Sequence, residues 1–496
     1  MHQVLFISEI LLEVFSHLNP IQSSSWHGKL LFWKSLAALA RTCKAFHEPA
    51  MDLLWSHVYG LDPLLGCVPR LHPVIYRCDA KVSWSQGVEP LSAYEVHHFL
   101  RHASRVRSLY SNVWTEEPFH LLTAIPTRVC VFPRLLLFDW SLLINTSRIH
   151  LFLSSTLRHC ALSVVSSDMD SIATYCPVLE ILSIKSAHPT DELFVLSDIV
   201  RSCKQLVDLS CPSLDFAAWK HLSNVPTLLT VEIDERRILH RPMDAENLHF
   251  APFLNLTALT FHVETCGNVV TVLRHSQFPS LKEFKIYINV LPWAEAEQLF
   301  CALSLRKACD ALERIEISSY DSDLSPKPLT VVRRFLCFQQ LRILRLAVNY
   351  PIYLDNDLLL EAMLSWPYIH SLELEDPPFR AHPPTVTFRG LFAALRLSPQ
   401  LRGLLVSMDA MNIDIDSTTE SLEHTSLRTW SVLHSLIVDP EAVAQIIFLM
   451  LPCINNVAYD DDYDDPEEPN LWRQVNSLLH EFAAHSRHNA RATPTI

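Results

Sequence analysis

The sequence predicts an α/β chain: a small helical module at the N-terminus, then a long solenoid of strand–helix repeats. Three observations carry the prediction. Apolar residues near the N-terminus recur at three- and four-residue steps, the spacing of one helical face. From residue 106 a leucine-x-x-leucine-x-apolar segment returns at steps of 21 to 32 residues, the range of stacked repeats. The 496 residues are 49% hydrophobic and 19% charged, a globular balance rather than a disordered one.

The opening stretch, 4–18, places Ile10, Leu11, Val14, Phe15 and Leu18 on one helical face. Ser8 is expected to cap its first turn, and Glu9 lies where the helix dipole favours negative charge. Pro20 closes it, and a loop from Asn19 to about Lys34 carries Trp26 and Trp33. Leu36, Leu39, Ala40 and Cys43 share a second helical face; a third segment, 46–58, is anchored by Leu53, Leu54 and Trp55. Three short helices bury little by themselves, so such a module needs a partner or an adjoining domain to complete its core.

Read as an ordered set, these residues resemble an F-box, the adaptor-binding motif of substrate receptors in cullin-type ubiquitin ligases. The first half of the pattern appears as Phe6-Ile7-Ser8-Glu9-Ile10 running to Val14-Phe15-Ser16-His17-Leu18. The second appears as Leu36 through Arg41-Thr42-Cys43-Lys44-Ala45-Phe46, then Leu54-Trp55, a form similar to that of large fungal F-box families. Two departures are visible: the family's proline is Ile7 here, and the loop between the first two helices is longer and holds two tryptophans. The resemblance implies an Skp-type adaptor as partner and, through it, a cullin. The adaptor-binding residues it implies are Phe6, Ile7, Glu9, Ile10, Leu11, Val14, Phe15, Leu18, Leu36, Leu39, Cys43, Leu54 and Trp55. Whether Phe15 and Leu18 face the other helices or the adaptor is left open by the sequence.

The repeats follow. Their first apolar anchors read as Val106, Leu135, Leu157, Leu179, Leu206, Leu228, Leu256, Leu281, Leu312, Leu341, Ile369, Leu401, Leu433 and Ile454. This resembles an irregular leucine-rich-repeat array of about fourteen copies. Each leucine-x-leucine alternation buries one face of a short strand and exposes the other. Helical segments are expected between strands at 190–203, 292–308, 358–366 and 440–451; Pro292 opens the second, and Asp355 or Asn356 can cap the third. Stacked in parallel, such units put strands on a concave inner face and helices on the convex one. The asparagine that ends regular repeats occurs only as Asn289 and Asn349, so the convex turns should be uneven.

The domain organisation expected is 1–59 as the F-box, 60–105 as linker or N-terminal cap and 106–459 as repeats. An acidic loop at 460–470, a capping helix at 471–487 and a disordered tail at 488–496 follow. Outward strand positions form the candidate recognition surface: Lys185, Glu232, Asp234, His262, Lys285, Tyr287, Glu316, Arg345, Glu373 and Glu375. Residues 355–496 carry 8 basic and 21 acidic side chains and hold nearly all of the net charge of −14. That asymmetry reads either as a preference for a basic substrate or as ordinary solvated loops.

Several chemistries are excluded or disfavoured. Seven glycines, with no closely spaced set, cannot build a phosphate-cradling loop. His480 and His485 lie five residues apart, one too many for the paired ligands of a zincin helix, and no metal or other cofactor is expected. Cys43 reads as a packing residue, and no catalytic constellation emerges. A net negative chain without interleaved basic and aromatic residues is not a general nucleic-acid binder. No apolar run has membrane-spanning length, so no membrane is expected as partner. Thirteen scattered cysteines fit reduced thiols in the cytoplasm or nucleus. The expected function is therefore a non-catalytic substrate receptor of a cullin-type ligase, its repeats recognising a protein. The alternative is a leucine-rich scaffold whose N-terminal helices only cap the solenoid.

Overall fold

A computed structural model describes residues 7–17, 26–77, 84–85, 87–111, 118–126, 129–140, 149–164, 172–186, 191–235, 250–304, 311–321, 327–375, 377, 383–415, 423–460 and 471–492. The chain forms two compact units, Met1–Leu228 and Leu229–Ile496. Fifteen strands occur among the described residues, six in the first unit and nine in the second.

The first unit opens with α1 (Ser8–Ser16), α2 (Trp26–Ala40) and α3 (Lys44–Leu54). Two sequence expectations change here. Helix α1 begins at Ser8, so Ile7 is the N-cap residue, and no side-chain cap forms; Ser8 is already helical and cannot cap. Helix α2 begins at Trp26, within the expected loop. Strand β1 (His57–Tyr59) follows α3 almost immediately and pairs in parallel with β2 (Ser108–Tyr110). The repeat stack therefore begins inside the segment assigned to the F-box. Between them lie α4 (Asp62–Leu65), α5 (His72–Arg77) and α6 (Ala93–Ala103). In a reciprocal capping box on α6, the Ser92 hydroxyl accepts from Glu95 N and the Glu95 carboxylate accepts from Ser92 N. Strands β3 (Leu137–Trp140), β4 (His159–Val164), β5 (Ile181–Ser186) and β6 (Asp208–Cys211) then add in sequence order, all parallel. Helices α7 (Ile172–Tyr175), α8 (Asp191–Ser202) and α9 (Phe216–Leu222) intervene or follow.

The second unit repeats the arrangement. Its strands are β7 (Thr230–Asp234), β8 (Ala258–Val263), β9 (Glu283–Val290), β10 (Arg314–Asp321), β11 (Ile343–Ala347), β12 (Ser371–Glu375), β13 (Gly403–Leu405), β14 (Thr429–Ser431) and β15 (Val457–Ala458). Each pairs in parallel with the next. The helices are α10 (Gly267–His275), α11 (Trp293–Ser304), α12 (Val331–Phe335), α13 (Asn356–Ser365), α14 (Phe388–Leu397), α15 (Pro440–Met450) and α16 (Leu471–Ala492). Asp355, not Asn356, caps α13, accepting from Leu358 N at 2.8 Å. Helix α16 runs past His485, so residues 488–492 are helical rather than tail.

The leucine anchors explain the regularity. A fully buried apolar residue stands two positions before most strands: Val106, Leu135, Leu157, Leu281, Leu312, Leu341, Ile369 and Leu401 are all 0% exposed. One carbonyl ahead of most strands then accepts two successive amides from the next repeat, as Lys282 O does from Glu313 N (2.8 Å) and Arg314 N (2.9 Å). Near the C-terminus the expected anchor is displaced. Leu427, not Leu433, fills the position before β14 and is 0% exposed. Leu433 sits beyond the strand with φ 51°, a left-handed conformation that costs a leucine energy.

The last strand is closed by a side chain. Asn476 of α16 accepts from Val457 N at 2.8 Å and donates to Val457 O at 2.9 Å. It thus takes up both backbone groups that a further strand would have used.

Candidate docking surfaces

The three N-terminal helices form their own core from Leu11, Phe15, Phe32, Leu36 and Ala50, with Leu39, Phe46, Leu53 and Leu54 packed against it. Phe15 meets Phe46 edge to face at 5.5 Å. Leu11 and Phe15, one turn apart, are 2% and 4% exposed, and Leu36 is 0% exposed. These three were expected to contact an adaptor; they hold the module together instead, because a three-helix unit this small needs every large side chain it can bury. Phe15 thus faces inward.

Helix α1 has a second apolar stripe. Ile7 and Val14 are 46% and 47% exposed, and Ile10 between them is half-buried. Positions 7, 10 and 14 lie on one face at helical spacing, and the three-helix core does not consume it. Leu31 on α2 is 65% exposed; it lies in the stretch that the sequence pattern reads as loop, so apolar periodicity does not mark it. Leu39, Cys43, Leu54 and Trp55 are half-buried. Cys43 is the N-cap residue of α3 rather than part of a helical face. Trp55 meets the His102 ring of α6 in a tilted contact at 4.7 Å and so looks toward the repeats. Phe6 and Leu18 lie outside the described residues, as does the side chain of Glu9.

An ionic clamp joins α3 to the first repeats. Arg105 donates to both Asp52 and Glu48, and Arg134 reaches Asp52 at 3.4 Å. The hydrogen bond from Arg105 holds the Glu48 carboxyl below its ordinary pKa. Burial works against the charge of Arg105, yet its two carboxylate partners raise its pKa.

The expected outward rows of the second unit fall into register. One runs Glu232, Thr260, Lys285, Glu316, Arg345, Glu373; the next runs Asp234, His262, Tyr287, Ser318, Ala347, Glu375. In the first unit, Lys185 is exposed on β5. The rows are internally paired. His262 lies 3.3 Å from Glu232 and stacks on Tyr287 at 4.7 Å. Tyr287 donates to Glu316 at 3.1 Å, Arg314 donates to Glu316 at 2.5 Å, and Arg345 lies 3.5 Å from Glu373. Glu316 is only 7% exposed, so it braces this network rather than offering a free carboxylate. Burial would raise its pKa, but Arg314 and Tyr287 prevail and lower it. Burial, and then the Glu316 charge, push the Tyr287 phenol up. Of the two repeat-ending asparagines, Asn289 lies within β9 and donates to Glu264, while Asn349 donates to Tyr320 O at 3.2 Å.

Burial pushes the thiols of Cys176 and Cys203 up to about 12, which leaves them un-ionised and poor nucleophiles. They line a cavity of about 130 Å³, below the size of small-molecule sites. Among the described residues, no helix is long and apolar enough to cross a membrane.

Residues 8–60 match the model of the F-box-like family, so the N-terminal module is an F-box-like domain, as its residues suggest. No curated protein matches the chain. Among solved structures, an internalin (InlF) of Listeria monocytogenes is similar at 13% identity and a TM-score of 0.39, covering 82% of this chain and 96% of its own. A chain of the yeast Rad7–Elc1 complex is similar at 13% identity and a TM-score of 0.34, covering 95% and 94%.

Proposed function

We propose that this F-box-like chain is a substrate-receptor subunit of a cullin-type ubiquitin ligase. The observation that carries the reading is the second apolar stripe of α1. Within the F-box-like segment, Ile7, Ile10 and Val14 stay available after the helical core is complete. They would meet an Skp-type adaptor, with Leu31 as a further contact, and a cullin would join through that adaptor. The repeats would hold a protein substrate on the open strand rows, through the more exposed members Lys185, Glu232, Arg345 and Glu375. The chain itself would catalyse nothing; ubiquitin transfer would belong to other subunits. A cytoplasmic or nuclear location suits this role.

The test is co-purification of an Skp-type adaptor with the full chain, compared with Ile7→Asp/Val14→Asp. These surface changes should abolish capture while leaving the melting temperature in place. Failure of the wild-type chain to bind any Skp-type adaptor would refute the reading. The scaffold alternative draws support from the Arg105 clamp and from β1, which tie the helices to the sheet as a cap. Under it, the aspartate pair changes no interaction, and removal of residues 1–59 unfolds the first repeats.

A further inference from the structure

Beyond the ends of β13 and β14, the second unit presents an apolar rim. Ala410 and Ile437 form an isolated parallel bridge, and both are buried. Their chain neighbours therefore point the other way, setting Asp409 beside Leu436 and Met411 beside Val438. Met411, Leu436 and Val438 are 55%, 69% and 63% exposed. Single exposed apolar residues are ordinary on any surface; three on adjacent rows of a fixed loop are not. The loop is fixed on three sides. Trp472 donates to Ser435 O at 2.7 Å, Met408 N donates to Ser435 Oγ at 2.9 Å, and Asp460 N donates to Leu433 O at 3.3 Å.

The surrounding charge is mostly negative. Among the described residues of 408–415 and 423–460, six are acidic, Asp409, Asp414, Glu423, Asp439, Glu441 and Asp460, and one is an arginine, Arg428. At the rim, Asp409 accepts from Met411 N at 3.2 Å, Asp439 caps α15, and Asp460 lies 3.5 Å from His434. Asp414 accepts from the backbone N of Arg389 at 2.9 Å, and the Arg389 guanidinium donates to the Asp414 backbone O at 2.6 Å, setting one positive charge beside it. These local bonds position the carboxylates and leave the rim negative overall. An apolar strip set in such a field repels acidic partners and attracts cationic ones, while its apolar residues give an apolar side chain something to cover.

We propose that this rim docks a basic segment of a partner protein, with apolar side chains interleaved among its lysines or arginines. The apolar residues would cover Met411, Leu436 and Val438, while the cationic ones meet the acidic border. The rim lies outside the strand rows, and its use does not depend on adaptor binding.

The test titrates the full chain into a fluorescein-labelled peptide of alternating lysine and leucine, read by anisotropy, with an alternating glutamate–leucine peptide as control. The lysine peptide should bind saturably and the glutamate peptide should not. Leu436→Ser/Val438→Ser keeps every charge and should weaken binding at least tenfold at an unchanged melting temperature. Met411→Ser, from the neighbouring row, should weaken it independently. Wild-type affinity in both serine variants, or no saturable binding by the wild-type chain, would overturn the proposal.

Discussion

Replacing Arg105 by methionine should loosen the F-box-like helices from the repeats without unfolding either. The side chain is 15% exposed and serves Asp52, 24% exposed, and Glu48, 63% exposed. A hydrogen bond between charged groups at the more buried Asp52 contributes about 2 kcal/mol. The well-solvated Glu48 pair contributes about 0.5 kcal/mol. Together these make about 2.5 kcal/mol, roughly a seventy-fold rise in the open fraction of this joint. Amide hydrogen exchange over α3 and β1 should accelerate by that order, while the strands of the second unit exchange as before. The effect should also depend on pH. Glu48 has a lowered pKa in the fold, so its contribution is present above the ordinary value of 4.5 and disappears as pH falls through the lower folded value. In Arg105→Met that acid-side loss should vanish. Unchanged exchange across α3 in the variant would show that apolar contacts, such as Trp55 on His102, hold the joint unaided.

Three other outcomes are expected. Leu36→Ala, at a position 0% exposed, should cost about 2–5 kcal/mol in urea unfolding of the N-terminal module, whereas Leu31→Ala, at 65% exposure, should stay within about 0.5 kcal/mol. His424 is 4% exposed and takes both ring nitrogens into backbone bonds, to Ser398 O at 3.0 Å and from Leu427 N at 3.2 Å. His424→Ala strands both groups and should destabilise the second unit by about 2–4 kcal/mol, measured by denaturant unfolding. Glu95 is held at about 2 by Arg70 and then by Ser92. Its stabilising contribution is complete above the ordinary carboxylate pKa and lost as pH falls towards about 2, so Glu95→Gln should flatten the melting-temperature profile on that acid side.

The repeat register was legible because the pattern that sets it is local. A leucine or isoleucine two residues ahead of the strand and apolar alternation within it suffice to place β9 through β13. The same template misplaced one copy for a physical reason. Leu433-x-x-Leu436-x-Val438 imitates the motif, while the true copy, Leu427-x-x-Trp430-x-Val432, carries tryptophan at the second position. The imitation is the exposed rim. Sequence periodicity marks apolar faces but does not say whether another part of the same chain covers them. For that reason it also ran the two stripes of α1 together, and only packing separates Leu11 and Phe15 from Ile7 and Val14. Nor could alternation show that the charges of neighbouring strand rows neutralise one another, since those pairs join residues 28 to 30 positions apart, as His262 with Glu232 and Arg345 with Glu373.

A parallel stack of this kind has no intrinsic length. Every strand added exposes the same row of amides and carbonyls it has just satisfied, so the sheet is as ready to accept a stranger's strand as its own. Asn476 ends that invitation with a single primary amide, which presents one donor and one acceptor at the spacing of a peptide group. Because it is borne on a helix, the imitation strand offers no outer edge of its own. Growth stops there by exhaustion of backbone valence rather than by bulk or charge, and the chain can leave an apolar rim open beside that end without also leaving open a template for polymerisation.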